Sequence, residues 1–161
     1  MNNRLEKAVN IGRLFQGEKP CGWSKQMLSP FDGILSVEQA EKTITIFSDL
    51  PLSEREIVRE EFEKFISALT GHFFEVVSAP SNVNSADSDA FETLIDLNQS
   101  RKELIEYVDP FLQERGQVVV FDFSQKLCVL FCYDMTVLLV HDGAKLPEIA
   151  LKKLKLVSIE D

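Results

Sequence analysis

The stretch Gln117–His141, QVVVFDFSQKLCVLFCYDMTVLLVH, decides the fold class. It holds three apolar runs, Gln117 to Phe123, Leu127 to Tyr133 and Thr136 to His141, split only by Ser124-Gln125-Lys126 and Asp134-Met135. Short runs rich in Val, Leu and Phe between turn residues read as strands. Connections this short cannot carry a parallel crossover, so the strands are expected to pair antiparallel as a meander. Within the first run Val118 and Val120 fall on one face, and Val119, Phe121 and Phe123 on the other. Both faces are apolar, so such a sheet needs cover on both sides.

Outward from this sheet, the clearest helix is expected from Ser53. Ile57, Val58, Phe62, Phe65, Ile66 and Leu69 form a stripe at a period near 3.6, and Glu54, Arg55, Glu56, Arg59, Glu60, Glu63 and Lys64 fill the opposite face. Ser53 and Glu56 have capping-box spacing, and Gly71 supplies a stop. His72 to Ala79 (HFFEVVSA) reads as a strand leaving that helix, and Thr43 to Phe47 (TITIF) alternates as another.

Residues 3–16 read as an amphipathic helix carrying Leu5, Val9, Leu14 and Phe15. Gly17 to Gly33 reads as a loop-rich stretch, with Pro20, Gly22 and Pro30 beside Trp23, Met27, Leu28 and Phe31. Pro80 to Ser88 reads as an exposed loop. A second helical region is expected over Ser88 to Glu114, restarting at Ser100 and ended or kinked by Pro110. Leu146 to Leu154 is expected as a short helix and Leu156 to Ile159 as a last strand. The expected class is α+β: a single domain over residues 1–161, whose antiparallel sheet (about 117–141, with strands near 43–47 and 72–79) packs against amphipathic helices.

Composition bounds the function. A chain of 161 residues fits one domain and buries a core without disulfide or metal staples. Its 17 basic and 26 acidic residues give a net charge of −9. Nucleic acids and anionic membranes reward basic surfaces, so neither is an expected partner. Basic proteins are, because complementary potentials speed association. The densest negative field lies between Asp87 and Asp109, where seven acidic residues face two basic ones. Asp87, Asp89, Glu92, Asp96, Glu103 and Glu106 are therefore the candidate partner-binding residues.

No chemistry-bearing motif stands out. The seven glycines form neither GxGxxG nor a P-loop, and no GxSxG, HExxH or CxxC occurs. No cofactor, metal site or catalytic residue is assigned. Cys128 and Cys132 lie about 13 Å apart along one strand, too far for a disulfide, and read as buried thiols of a reducing compartment. The polar N-terminus and the short apolar runs point to the cytoplasm.

His141-Asp142 ends a strand, and Asp122 and Asp134 interrupt very apolar ones. A small hydrolase centred on His141 with these aspartates is one alternative function. Lys145, Lys152, Lys153 and Lys155 balance a helix C-terminus better than they form a nucleic-acid patch. Small size, strong acidity and the missing motifs suit an acidic inhibitor that occupies a basic partner. In overall character the chain resembles bacterial immunity proteins and antitoxins, and the resemblance implies a nuclease-type toxin as the partner. An acidic chaperone or adaptor for a secreted effector is the other alternative.

Overall fold

The computed structural model describes residues 22–69, 73–78, 100–113, 118–122, 127–132, 135–143 and 146–159. Their strands are β1 (Ser24–Ser29), β2 (Phe73–Ser78), β3 (Ser100–Glu103), β4 (Val118–Asp122), β5 (Leu127–Phe131), β6 (Val137–His141) and β7 (Lys155–Ser158). Helices are α1 (Val37–Glu41), α2 (Leu52–Leu69) and α3 (Val108–Leu112), with 3-10 turns at Phe47–Asp49 and Leu104–Tyr107. The strands form one sheet in the order β3-β2-β4-β5-β6-β1-β7, every neighbouring pair antiparallel. This is an α+β fold with the expected meander, β4-β5-β6, at its centre.

Register explains which side chains meet the helices. Leu28 pairs with Val137, which pairs with Phe131; Leu139 pairs with Val129, and His141 with Leu127. Directly opposed residues share a face. Leu28, Val137, Leu139, Leu127, Val129 and Phe131 enter one core with Val58, Phe62, Phe65, Ile66 and Leu69 of α2 and Val108, Phe111 and Leu112 of α3. Phe111 links the two, meeting Phe62 edge-on at 5.2 Å and Phe131 at 5.4 Å between ring centroids. On the opposite face Met27, Cys128, Leu130 and Val140 are also buried. The sheet centre is dry on both sides, as its uninterrupted apolar runs require.

The two ends of the β5–β6 connection are held together. Cys132 N–H donates to the Thr136 carbonyl at 2.9 Å, and Met135 adopts φ 55° while its side chain is buried. A non-glycine residue in the left-handed region carries strain, which the burial of Met135 offsets.

Several expectations are corrected. Thr43 to Phe47 is not a strand: Thr43–Ile46 has no ladder partner among the described residues, and Phe47 begins a 3-10 turn. Alternation alone makes no strand where no edge receives it. Ser24–Ser29, inside the stretch read as loop, is a strand that fills the gap between β6 and β7. Ser100–Glu103 is not helical, because its backbone pairs with Phe73–Val76. Pro110 neither ends nor kinks a long helix; it lies in the first turn of α3, where a missing N–H costs nothing. Leu146–Leu154 forms no helix.

The helix α2 begins at Leu52, so Ser53 cannot be its cap; the Pro51 carbonyl accepts from the Glu54 and Arg55 N–H groups instead. A capping box does occur at Ser36–Gln39, opening α1. The expected helix over 3–16, the loop at 80–88, the Gly71 stop and the first part of the 88–114 helix lie outside the described residues.

One feature of α2 went unread in the sequence. Glu61 is buried, and its carboxylate accepts three backbone N–H bonds: Lys152 to Oε1, with Lys153 and Leu154 to Oε2 at 2.9 and 2.8 Å. The segment leading into β7 is thereby fastened to the helix through three donors that no helix or ladder uses. Burial by itself would push the Glu61 carboxyl up, but the three donors and the Lys152 charge outweigh it and hold it below its ordinary value.

Candidate functional site

Of the six acidic residues singled out by charge, Asp87, Asp89, Glu92 and Asp96 lie outside the described residues. Glu103 ends β3, an edge strand, opposite Phe73. Glu106 is exposed on the 3-10 turn that follows. The helical surface expected to carry these two is absent, since a strand and a 3-10 turn replace it. They are close along the chain and do not share one helix face.

His141 is buried at the end of β6, and its Nε2 lies 3.0 Å from Gln26 Oε1 on β1. With that oxygen accepting, Nε2 carries the proton, and the buried Nδ1 has no hydrogen-bond partner among the described residues. Asp122 stands opposite Leu127, which pairs in turn with His141. The two residues thus share a row but sit two strands apart, roughly 10 Å between backbones. Asp134 lies outside the described residues. Buried Cys128 has its thiol pushed well up by burial, which keeps it protonated and unreactive. Among the described residues no three His, Cys, Asp or Glu side chains gather as metal ligands.

Burial also pushes the His141 imidazole below its ordinary value, with the Asp142 charge opposing. A histidine held neutral in the fold contributes stability that is full above its unfolded pKa, about 6.5, and is lost as pH falls towards the folded one. The melting temperature should therefore drop on acidification below about pH 6.5. A His141→Gln variant should flatten that part of the profile. An unchanged slope in the variant would assign the acid sensitivity to other groups.

The described surface has a more conspicuous feature between Pro30 and Leu52. Ile34, Val37 and Leu52 are 70%, 79% and 70% exposed, and Ile44 and Ile46 are exposed as well. The same stretch carries Asp32, Glu38, Glu41 and Asp49 against one basic residue, Lys42. Lys42 is already paired to Glu38, 2.6 Å away. Scattered exposed apolar residues are ordinary, whereas these five fall within one short stretch.

Pro30, Phe31, Asp32, Gly33, Ile34, Leu35, Gln39 and Thr43 line a groove of about 430 Å³ there. Two local hydrogen bonds fix the backbone of this stretch. Ser29 Oγ accepts the Phe31 N–H at 3.0 Å, and Phe31 is buried in the core. Gln39, another lining residue, accepts the Ser36 N–H through Oε1 at 2.9 Å. Asp32 is exposed at the rim, where Lys155 of β7 pairs with its Oδ1.

No protein-family model matches the chain, and neither a curated protein nor a solved structure matches it at a significant level. Among the described residues no helix is long and apolar enough to cross a membrane. The sequence contained one signal for the 30–52 surface that charge counting passes over. TITIF alternates, yet no hairpin turn and second run adjoin it, so Ile44 and Ile46 had no assured partner.

Proposed function

We propose that this chain is an acidic protein-binding inhibitor that neutralises a basic partner in the cytoplasm, a bacterial immunity protein or antitoxin acting on a nuclease-type toxin. The observation that carries the reading is the Pro30–Leu52 surface. It presents exposed apolar side chains among four carboxylates, of which Glu38 pairs with Lys42 and Asp32 with Lys155, while Glu41 and Asp49 add to the negative field. Apolar contacts at a centre and polar groups at a rim are the anatomy of a protein interface. The net charge of −9 adds long-range attraction for a basic protein. A nuclease cleft, basic so as to hold phosphates, fits that field.

The exposed apolar residues also favour a second reading, an acidic chaperone or adaptor for a secreted effector. Salt separates the two. Tagged protein captured from its native cells at about 50 mM salt should carry one stoichiometric basic protein that about 0.5 M salt releases. A partner that stays bound in high salt would favour the chaperone. No partner at low salt would remove the inhibitor reading.

A further inference from the structure

We propose that residues 152–159 form a strap, latched to the body of the fold by Glu61, that opens as one unit while the meander stays folded. Its opening bares the outer edge of β1. Strand β7 lies at the end of the sheet and pairs with β1 alone, over four residues that are exposed or half-buried. Strand β5, by contrast, is paired on both sides and buried along its whole length. The chain from Leu146 to Leu154 adds no described helix or strand of its own. Its apolar hold on the core is Leu154, which is buried, with Leu151 and Leu156 half-buried beside it. A segment with few ladder bonds and few buried side chains lies at the low end of local stability, and its release returns backbone entropy.

Among the described residues three carboxylates hold the strap. Asp32 pairs with Lys155, Glu54 pairs with Lys153 at 3.5 Å, and Glu61 accepts the N–H groups of Lys152, Lys153 and Leu154. The first two pairs join exposed side chains, where water and salt screen them. Glu61 alone is buried, and its three bonds are charge-assisted, so it dominates the polar hold. Beyond the latch the ladder takes over. The Ile159 N–H donates to the Lys25 carbonyl at 2.9 Å, and the alternation of an antiparallel pair then puts the Val157 N–H on the Met27 carbonyl. Latch and ladder thus act in series along one unbroken run of chain. With Leu154 off Glu61 and out of the core, β7 keeps only its bonds to β1.

The test follows backbone amide exchange by NMR on the full chain at neutral pH, in rising but sub-denaturing urea. Lys153, Leu154 and Val157 should exchange through one shared opening, at least about tenfold more frequent than that of Val129 and Leu130 in β5. Strap rates should barely respond to urea, whereas β5 rates should climb with it as global unfolding takes over. Glu61→Gln should speed Leu154 and Val157 by a common factor of about ten, although Val157 bonds to β1 and not to Glu61. A faster Leu154 beside an unchanged Val157 in that variant would overturn the strap as a unit. So would different opening frequencies for Leu154 and Val157 in the unaltered chain, a measurement that stands even if Glu61→Gln does not fold. Strap amides sharing the frequency and urea slope of β5 would mean that only global unfolding releases them, and the proposal would fall.

Discussion

A Glu61→Ala chain should lose about 2–4 kcal/mol of stability, most of it from three backbone N–H groups left without an acceptor. The donors differ in how well water can replace the carboxylate. Lys152 is exposed, Lys153 half-buried and Leu154 buried, so solvent can rescue the first donor and not the last. Bonds to a charged acceptor are worth more than neutral ones, which places the loss above that of an ordinary helix substitution. Glu61→Gln keeps one acceptor oxygen and should fall between wild type and alanine.

The sign of the pH dependence follows from the lowered Glu61 pKa. Its contribution is full above the unfolded carboxyl value and is lost as pH falls through the folded one, so the difference between wild type and Glu61→Ala should shrink in acid. Urea unfolding with an unchanged slope and a lower midpoint would measure it. A loss below about 0.5 kcal/mol would mean that water satisfies all three donors.

Phe131→Ala is the other large effect, at about 3–5 kcal/mol. Phe131 is 0% exposed on β5, the middle of the seven strands. Its ring meets Phe111 at 5.4 Å and 61°, and Phe111 meets Phe62 of α2. Removing it opens a cavity where sheet, α3 and α2 join, so neighbours on three elements would have to move to fill it. Edge-on aromatic pairing adds to the area term. The same urea titration checks it, with Val37→Ser as a surface reference expected within about 0.5 kcal/mol of wild type. A loss near that of Val37→Ser would place Phe131 outside the load on the core.

What could be read from sequence divides along locality. The meander β4-β5-β6 was legible because its strands are apolar and joined by connections of only four and five residues, so no distant segment decides the pairing. The amphipathic period of α2 was legible for the same reason. Glu61 escaped because it was assigned to neither face, although it lies four residues from Ile57 and from Phe65, in phase with the buried stripe. A carboxylate in that phase announces a buried acceptor, but its three donors come from residues 152–154, far along the chain.

Strands β1 and β3 were illegible for a related reason. Ser24-Lys25-Gln26 and Ser100-Arg101-Lys102-Glu103 are polar, and only pairing with remote strands makes them extended. TITIF shows the converse, a local pattern with no partner to complete it. The surface residues were the least legible. Charge density pointed to six acidic residues over 87–106, of which Glu103 and Glu106 fall among the described residues, whereas exposure points to 30–52. Exposure is a property of the packed molecule and leaves no mark in a charge count.

The sheet order also sets a timetable for synthesis. Met27 pairs with Leu138 on one side and Val157 on the other. As the chain emerges from the ribosome, β1 is made before every other described strand, yet both its neighbours come after residue 136. The meander can assemble as soon as residue 141 is out, but β1 cannot be locked between β6 and β7 until residue 158 has followed. Until β6 has been made, the apolar segment containing Met27 and Leu28 has neither of its neighbours, and the sheet of described strands is closed by joining its first-made strand to its last.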